Sequence, residues 1–323
     1  MAAEPKYLTG DKVALNEFID KFDTFLFDCD GVLWSGDHVY EGVPETLQLL
    51  RSKGWVLTAP LTFTPHSPLT GKRTVFVTNN STKSRGEYAK KLNGLDIPSD
   101  VEDVFGSAYS SAVYISRILK LPAGKNKVFV IGEAGVEKEL ASEGVPFIGG
   151  TDENFRRDIT PADFQGIADG SLLDPEVGIV LCGLDFHINY LKLAHGLHYL
   201  RRGAIFLATN IDSTLPLHHD LFLGAGSVMV PLANASGQKP LELGKPSQAM
   251  MDAIEGKFQL DRSKTCMIGD RLNTDIKFGI EGKLGGTLHV QTGVDKKEDW
   301  QKKDAIAVPS FYVDKLSDLR HAA

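Results

Sequence analysis

Cysteine is scarce in this chain, with Cys29, Cys182 and Cys266 the only three among 323 residues. An odd number without metal-ligand spacing argues against a disulfide framework or a thiolate zinc site and leaves free thiols, as in a reducing compartment. Long apolar runs are missing as well. No stretch approaches the roughly 18 apolar residues of a membrane span, and the start MAAEPKYLTG lacks the charged n-region and apolar core of a secretory signal. Basic blocks are also absent, and 42 acidic against 35 basic residues give a formal charge of −7. That balance disfavours attraction to nucleic acid or anionic lipid. The expectation is a cytoplasmic protein with no nucleic-acid or membrane partner, long enough for a core divided over about two domains.

What is present is a rhythm. Short apolar runs rich in β-branched and aromatic residues (TFLFD, TVFVTNN, KVFVIGE, AIFLATN, TCMIGD) are mostly followed by turns and longer amphipathic stretches such as GVPETLQLLRSK and AGVEKELASEG. Such alternation predicts βα repeats, a parallel sheet and an α/β fold of Rossmann-like kind. Ligands of parallel sheets gather outside the carboxyl ends of the strands, and there stand Asp28, Asp30, Thr78, Asn79 and Asp270. Residues 105–223 read as an α/β block of their own, with strands near 127–131, 177–182 and 204–208. Site-like residues flank it on both sides, so it is taken as an insertion between the two core parts, 1–104 and 224–323.

One segment breaks the rhythm. WVLTAPLTFTPHSPLTG, residues 55–71, has prolines at 60, 65 and 68, no charged residue and no clear period. Connections of that length without structure are uncommon inside a compact domain. Removing it joins RSKG to KRTVFVTNN, an ordinary short connection. It is read as an accessory loop or a translated intron, placed at the amino end of the following strand, opposite the site.

Four stretches carry chemistry. In FLFDCDGVLW a buried strand ends in Asp28 and Asp30, followed by Gly31. Two neighbouring carboxylates repel and are costly to bury unpaired. Either they belong to a turn, or they face a divalent cation such as Mg2+, which favours a few carboxylate and carbonyl oxygens. In the second case Asp28 is suited to attack phosphorus and Asp30 to general acid/base work. In VFVTNNS, Thr78 ends a strand, where its hydroxyl and nearby N–H groups suit either a phosphate oxygen or a cap. Lys245, in LGKPSQAMMDAI, is a surface lysine or an ammonium that offsets charge on a phosphoryl group. In CMIGDRLNTDI, Asp270 repeats the strand-end carboxylate and Asp275 follows five residues on.

Taken together in this order, D-x-D-G-V, strand-Thr, Gly-Lys-Pro and Gly-Asp-x4-Asp are specific. The set resembles the haloacid-dehalogenase-like superfamily, and the words DCDGVLW, VFVTNNSTKSR, GKPSQ and GDRLNTDI resemble its 4-nitrophenylphosphatase/phosphoglycolate phosphatase branch. The likeness runs nearly end to end, through GLDFHINYLKL and TNIDSTLP, and fails over residues 55–71. It implies a HAD-like core with an inserted α/β cap and Mg2+ as cofactor. Asp28 is then nucleophile and metal ligand, Asp30 general acid/base and a ligand through its carbonyl, and Asp270 the remaining ligand. Thr78, Asn79 and Lys245 hold the phosphoryl group. Asp275 supports Lys245 or the metal's waters, and Gly31 supports the acidic turn.

The resemblance makes the middle block a substrate-selecting cap and implies a homodimer through it. Asn210 and Asp212, with His218 and His219 beyond, lie on a loop that is either a solvated turn or a substrate contact. His187 reads as a packing histidine. Gly224 and Gly226 lack the third glycine and acidic partner of a dinucleotide loop and read as a tight turn. The favoured function is a Mg2+-dependent phosphomonoesterase for a small phosphorylated substrate such as 2-phosphoglycolate. A pyridoxal phosphate or phosphoprotein phosphatase is the rival of the same chemistry. A catalytically silent binding protein follows if residues 55–71 disrupt the core.

Overall fold

The computed structural model describes residues 4–53, 71–217 and 220–322. Apart from Gly71, the segment 55–71 lies outside them, as do His218 and His219. In chain order the strands are β1 (Lys6–Tyr7), β2 (Thr24–Phe27), β3 (Trp34–Ser35), β4 (His38–Val39), β5 (Arg73–Thr78), β6 (Val104–Gly106), β7 (Lys127–Ile131) and β8 (Phe147–Gly149). They continue as β9 (Val177–Cys182), β10 (Ile205–Ala208), β11 (Thr214–Leu217), β12 (Asp220–Leu223), β13 (Leu241–Glu242), β14 (Thr265–Gly269), β15 (Gly286–Val290) and β16 (Phe311–Val313). The fold is α/β with a parallel-sheet core, and the chain divides into two compact units.

The first unit comprises Met1–Val77, Ala89–Val104 and Ile254–Ala323. Its sheet has the order β1-β16-β15-β14-β2-β5-β6, and the pairs from β1 to β5 are parallel. Every residue of β2, β14 and β15 is buried, as expected of parallel strands covered on both faces. This explains why they read as continuous apolar runs without alternation. Phe18, Phe22 and Phe25 pack as an aromatic cluster over the amino ends of the strands, with ring centroids 5.3–6.0 Å apart. β2 and β14 pair with Phe27 opposite Ile268, and the Asp28 N–H donates to the Ile268 carbonyl (2.9 Å). Register therefore brings the residues after Phe27 and after Gly269 side by side.

Helix Val43–Ser52 begins with proline in its first turn and is closed by the Lys53 N–H, which donates to Leu49 and Leu50. The chain returns at Lys72, whose N–H donates to the carbonyls of Lys53 (3.2 Å) and Leu50 (3.3 Å). Arg73 then opens β5 by donating to Asp23 (2.9 Å).

The second unit comprises Thr78–Tyr88 and Phe105–Ala253. Its five-stranded sheet, β13-β10-β9-β7-β8, is parallel throughout. One face packs Phe129, Val180, Leu191, Tyr199 and Phe206 into a core. In the same unit Lys192 and Asp185 form an ion pair (2.6 Å) with neither side chain exposed. β11 and β12 form an antiparallel hairpin. All three cysteines are buried and outside any disulfide, and burial pushes the thiols of Cys182 and Cys266 well above the ordinary thiol range. Among the described residues no helix is long and apolar enough to cross a membrane.

Candidate active site

In the first unit the parallel register delivers a cluster of acids. Asp28 and Asp270 each stand one residue beyond adjacent buried strands. Carboxylate oxygens of Asp28, Asp270 and Asp275 lie within 4.8 Å of one another. Asp275 reaches the group because the chain turns sharply after β14. Its Oδ2 accepts from the main-chain N–H groups of Asp270 (3.2 Å) and Arg271 (3.1 Å). Asp270 and Asp275 are both about 1% exposed. The Asp270 carboxylate is aimed by the Val294 N–H, which donates to its Oδ2 (2.6 Å).

Asp30 belongs to a tight turn rather than to that trio. Its carboxylate accepts from the Trp34 indole N–H (2.7 Å), while the Gly31 N–H donates to the Trp34 carbonyl (2.8 Å). Gly31 sits at φ +86°, in the left-handed region, and a Cβ there would lie 2.6 Å from Asp270 Oδ2. A Cβ on Gly293 would also meet that carboxylate. Both glycines thus keep space open around Asp270. Tyr40, which no sequence motif marked, lies close enough to feel the site. Burial chiefly, with the negative charges of Asp270 and Asp30, holds its phenol above the ordinary value.

The second unit gathers the other marked residues around one side chain. Asn79 Oδ1 accepts from the Lys245 N–H (2.7 Å), and its Nδ2 donates to the Lys245 carbonyl (3.0 Å). The same Nδ2 lies 3.2–3.3 Å from the Asp212 carboxylate. The Asn79 carbonyl accepts from Asn210 Nδ2 (2.7 Å) and Ser107 Oγ (2.6 Å). Asn79 therefore pins the backbone of Lys245, whose side chain is almost fully buried. Thr78 is likewise buried, and its Oγ1 accepts from the Asn80 N–H (3.1 Å) as the chain leaves β5.

Two readings of single residues are corrected. His187 is no packing residue: its side chain is 53% exposed and its Nδ1 lies 3.1 Å from Glu133 Oε1. Gly224 and Gly226 make no tight turn. They begin helix Ala225–Ser236, and a Cβ on Gly224 would strike the Asp212 carbonyl and one on Gly226 the Ile211 carbonyl. Instead the Gly226 N–H donates to the Asp212 carbonyl (2.9 Å), fastening the Asn210–Asp212 loop to the helix start.

The acid trio suits a hard divalent cation. Carboxylates this close and this buried repel unless positive charge lies among them, and all the donors are oxygens, as Mg2+ prefers. A second grouping of possible ligands is Glu133, Asp185 and His187, whose two acids each face a basic side chain. Arg156 pairs with Glu133 (2.9 Å) and Lys192 with Asp185 (2.6 Å).

Comparison with known proteins agrees with this geometry. The pattern described as haloacid dehalogenase-like hydrolase matches residues 25–146, and a HAD-hydrolase-like pattern matches residues 242–319. The 4-nitrophenylphosphatase of Schizosaccharomyces pombe is 48% identical over 308 residues, spanning 95% of this chain and 96% of its own. Phosphoglycolate phosphatase 1A, chloroplastic, of Arabidopsis thaliana is 40% identical over 309 residues, spanning 94% and 78%. A glycerol phosphate phosphatase from Mycobacterium tuberculosis, solved in complex with magnesium, superposes with a TM-score of 0.72 at 27% identity, covering 93% of this chain and 77% of that one.

Proposed function

This chain belongs to the haloacid dehalogenase-like hydrolases and is a phosphoric monoester hydrolase, and on that ground we propose that it cleaves small phosphorylated metabolites in a magnesium-dependent reaction. 2-Phosphoglycolate is the first candidate substrate, because the Arabidopsis relative is named for it. Glycerol phosphate is the second, because the magnesium-bound relative is named for it. 4-Nitrophenyl phosphate is the convenient test substrate. The single observation that carries the reading is the convergence of the Asp28, Asp270 and Asp275 carboxylates.

Asp28, Asp270 and Asp275, with the Asp30 carbonyl, are the groups that would hold Mg2+. When bound, the ion neutralises charge on the non-bridging phosphoryl oxygens. Asp28 attacks phosphorus in line, and the bond to the leaving oxygen breaks as that oxygen takes the Asp30 proton. Asp30 then accepts a proton from water, whose oxygen attacks the phosphorus and releases inorganic phosphate and free Asp28. Lys245 balances charge on the phosphoryl group, with Thr78 as a further donor. Asn79, Asn210 and Asp212 serve by fixing the Lys245 backbone and its loop. Positioning and electrostatics account for most of the acceleration.

Residues 105–223 are proposed as the selecting cap and as the dimer contact, a role supported by β12, where Leu221, Phe222 and Leu223 are exposed. A panel of phosphomonoesters compared by kcat/KM, with and without EDTA, tests the proposal. EDTA-sensitive turnover that favours two- and three-carbon phosphates is expected. EDTA-resistant turnover, or preference for phosphopeptides or pyridoxal phosphate, contradicts it.

A further inference from the structure

We propose that His289 and Gln291 form a positioning pair that holds the Asp270 loop in the geometry a divalent cation requires. The inference rests on the reading that Asp28, Asp270 and Asp275 bind such an ion, and it extends that reading to residues outside the carboxylate cluster. His289 lies in β15 with its side chain fully buried, a costly place for an imidazole unless both ring nitrogens are satisfied. Both are: Nε2 stands 3.0 Å from the main-chain oxygen of Asp270, and Nδ1 stands 3.1 Å from Gln291 Nε2.

The direction of each hydrogen bond follows from its far end. The Lys297 main-chain N–H can only donate, and it donates to Gln291 Oε1 (3.0 Å). The amide of Gln291 is thereby oriented with its NH2 toward the ring, so Nδ1 accepts. In the neutral ring the hydrogen then resides on Nε2 and points at the Asp270 carbonyl, which can only accept. The edge of the Trp300 ring packs against the imidazole with centroids 4.7 Å apart and prevents it from swinging away. The same carbonyl accepts the Asp295 N–H (3.1 Å). Two donors thus set the peptide plane from which the Asp270 side chain departs toward Asp28 and Asp275.

A pair of this kind acts through the ligand it orients, not through the substrate, and losing such support typically lowers metal affinity by about 10–100-fold. The test is Mg2+ titration by calorimetry on the full chain, together with Mg2+-dependent thermal stabilisation. The proteins compared are the parent, Asp270→Asn, His289→Leu, Gln291→Leu and the double variant His289→Leu/Gln291→Leu. Both single variants are expected to bind Mg2+ about tenfold more weakly or worse. Because the two residues act in series, the double variant is expected to be no weaker than the poorer single. Turnover at saturating Mg2+ stays near the parent's while the half-saturating Mg2+ concentration rises. His289→Gln, whose amide can offer an N–H to the same carbonyl, recovers part of the loss. Should His289→Leu fail to fold, half-buried Gln291→Leu carries the test. If either Leu variant folds and binds Mg2+ as the parent does, the pair has no positioning role, whatever its effect on melting. If the parent itself binds no Mg2+, or Asp270→Asn binds it equally well, the cation reading falls and this inference falls with it.

Discussion

Lys192 shows that a charged side chain can be structural. It lies in helix Tyr190–Arg201, and its ammonium is fully buried against Asp185. Lys192→Met leaves that carboxylate without its counter-charge in the core, which costs roughly 3–5 kcal/mol. Urea unfolding should show this loss, and Asp185→Leu in the same chain should restore most of it. An unchanged midpoint for Lys192→Met would contradict the account. His195, also buried, gives a prediction in pH. Burial chiefly lowers its pKa, while Nδ1 is bonded to the Leu191 carbonyl (3.0 Å) and the ring stacks on Phe129. The folded chain then holds fewer protons than the unfolded one as pH falls below about 6.5, so stability declines on acidification from that point. His195→Phe should flatten part of this decline between neutral pH and pH 5. Identical slopes for parent and variant would rule the contribution out.

The same scale shows what a sequence displays and what it hides. Asp28 and Asp270 were legible because an apolar strand that stops at a carboxylate is a local signal. Asp275 was legible only as a supporting residue, because a sharp turn after β14, invisible to spacing arguments, brings it beside the other two. His289 and Tyr40 carried no signal, one lying inside a buried strand and the other in an unremarkable loop. Asn79 was marked as a phosphate contact, but its bonds to Lys245 and Asn210 span more than 130 positions of chain, and no local pattern reports them.

At the scale of elements, strands long enough to form a run were placed closely. β7, β9 and β10 fall at Lys127–Ile131, Val177–Cys182 and Ile205–Ala208, against readings near 127–131, 177–182 and 204–208. Two- and three-residue strands such as β1, β8 and β13 escape, since they hold too few residues to show a period. The junction around residues 55–71 yields a prediction. Helix Val43–Ser52 is already closed at Lys53, and the Lys72 N–H meets the Lys53 carbonyl (3.2 Å) before β5 begins. The flanking elements are therefore complete without the intervening chain. A variant lacking residues 55–71 should fold with parental kcat/KM and equal or higher melting temperature, because a shorter connection loses less entropy on closure. An insoluble or inactive deletion would show that the segment is needed. Peptides spanning it in natively expressed protein would exclude its removal as an intron.

At the scale of the molecule, two parallel sheets in two compact units present different chemistry. One unit gathers carboxylates after buried strands, and the other organises a buried lysine through Asn79. The α/β class and the phosphatase chemistry could be read from four motifs because each chemical group stands at a strand end or helix start. Substrate choice could not, because it depends on side chains distant in the chain that only folding brings together. The central claim, that Asp28 takes up the phosphoryl group, is open to direct chemical trapping. Borohydride reduces an acyl phosphate to an alcohol and would convert phosphorylated Asp28 into homoserine. Quenching the turning-over enzyme in borohydride and mapping its peptides should find homoserine at position 28 when phosphomonoester and Mg2+ are both present, and aspartate there when EDTA replaces Mg2+. Homoserine at another aspartate, or unmodified Asp28 during sustained turnover, would contradict the account.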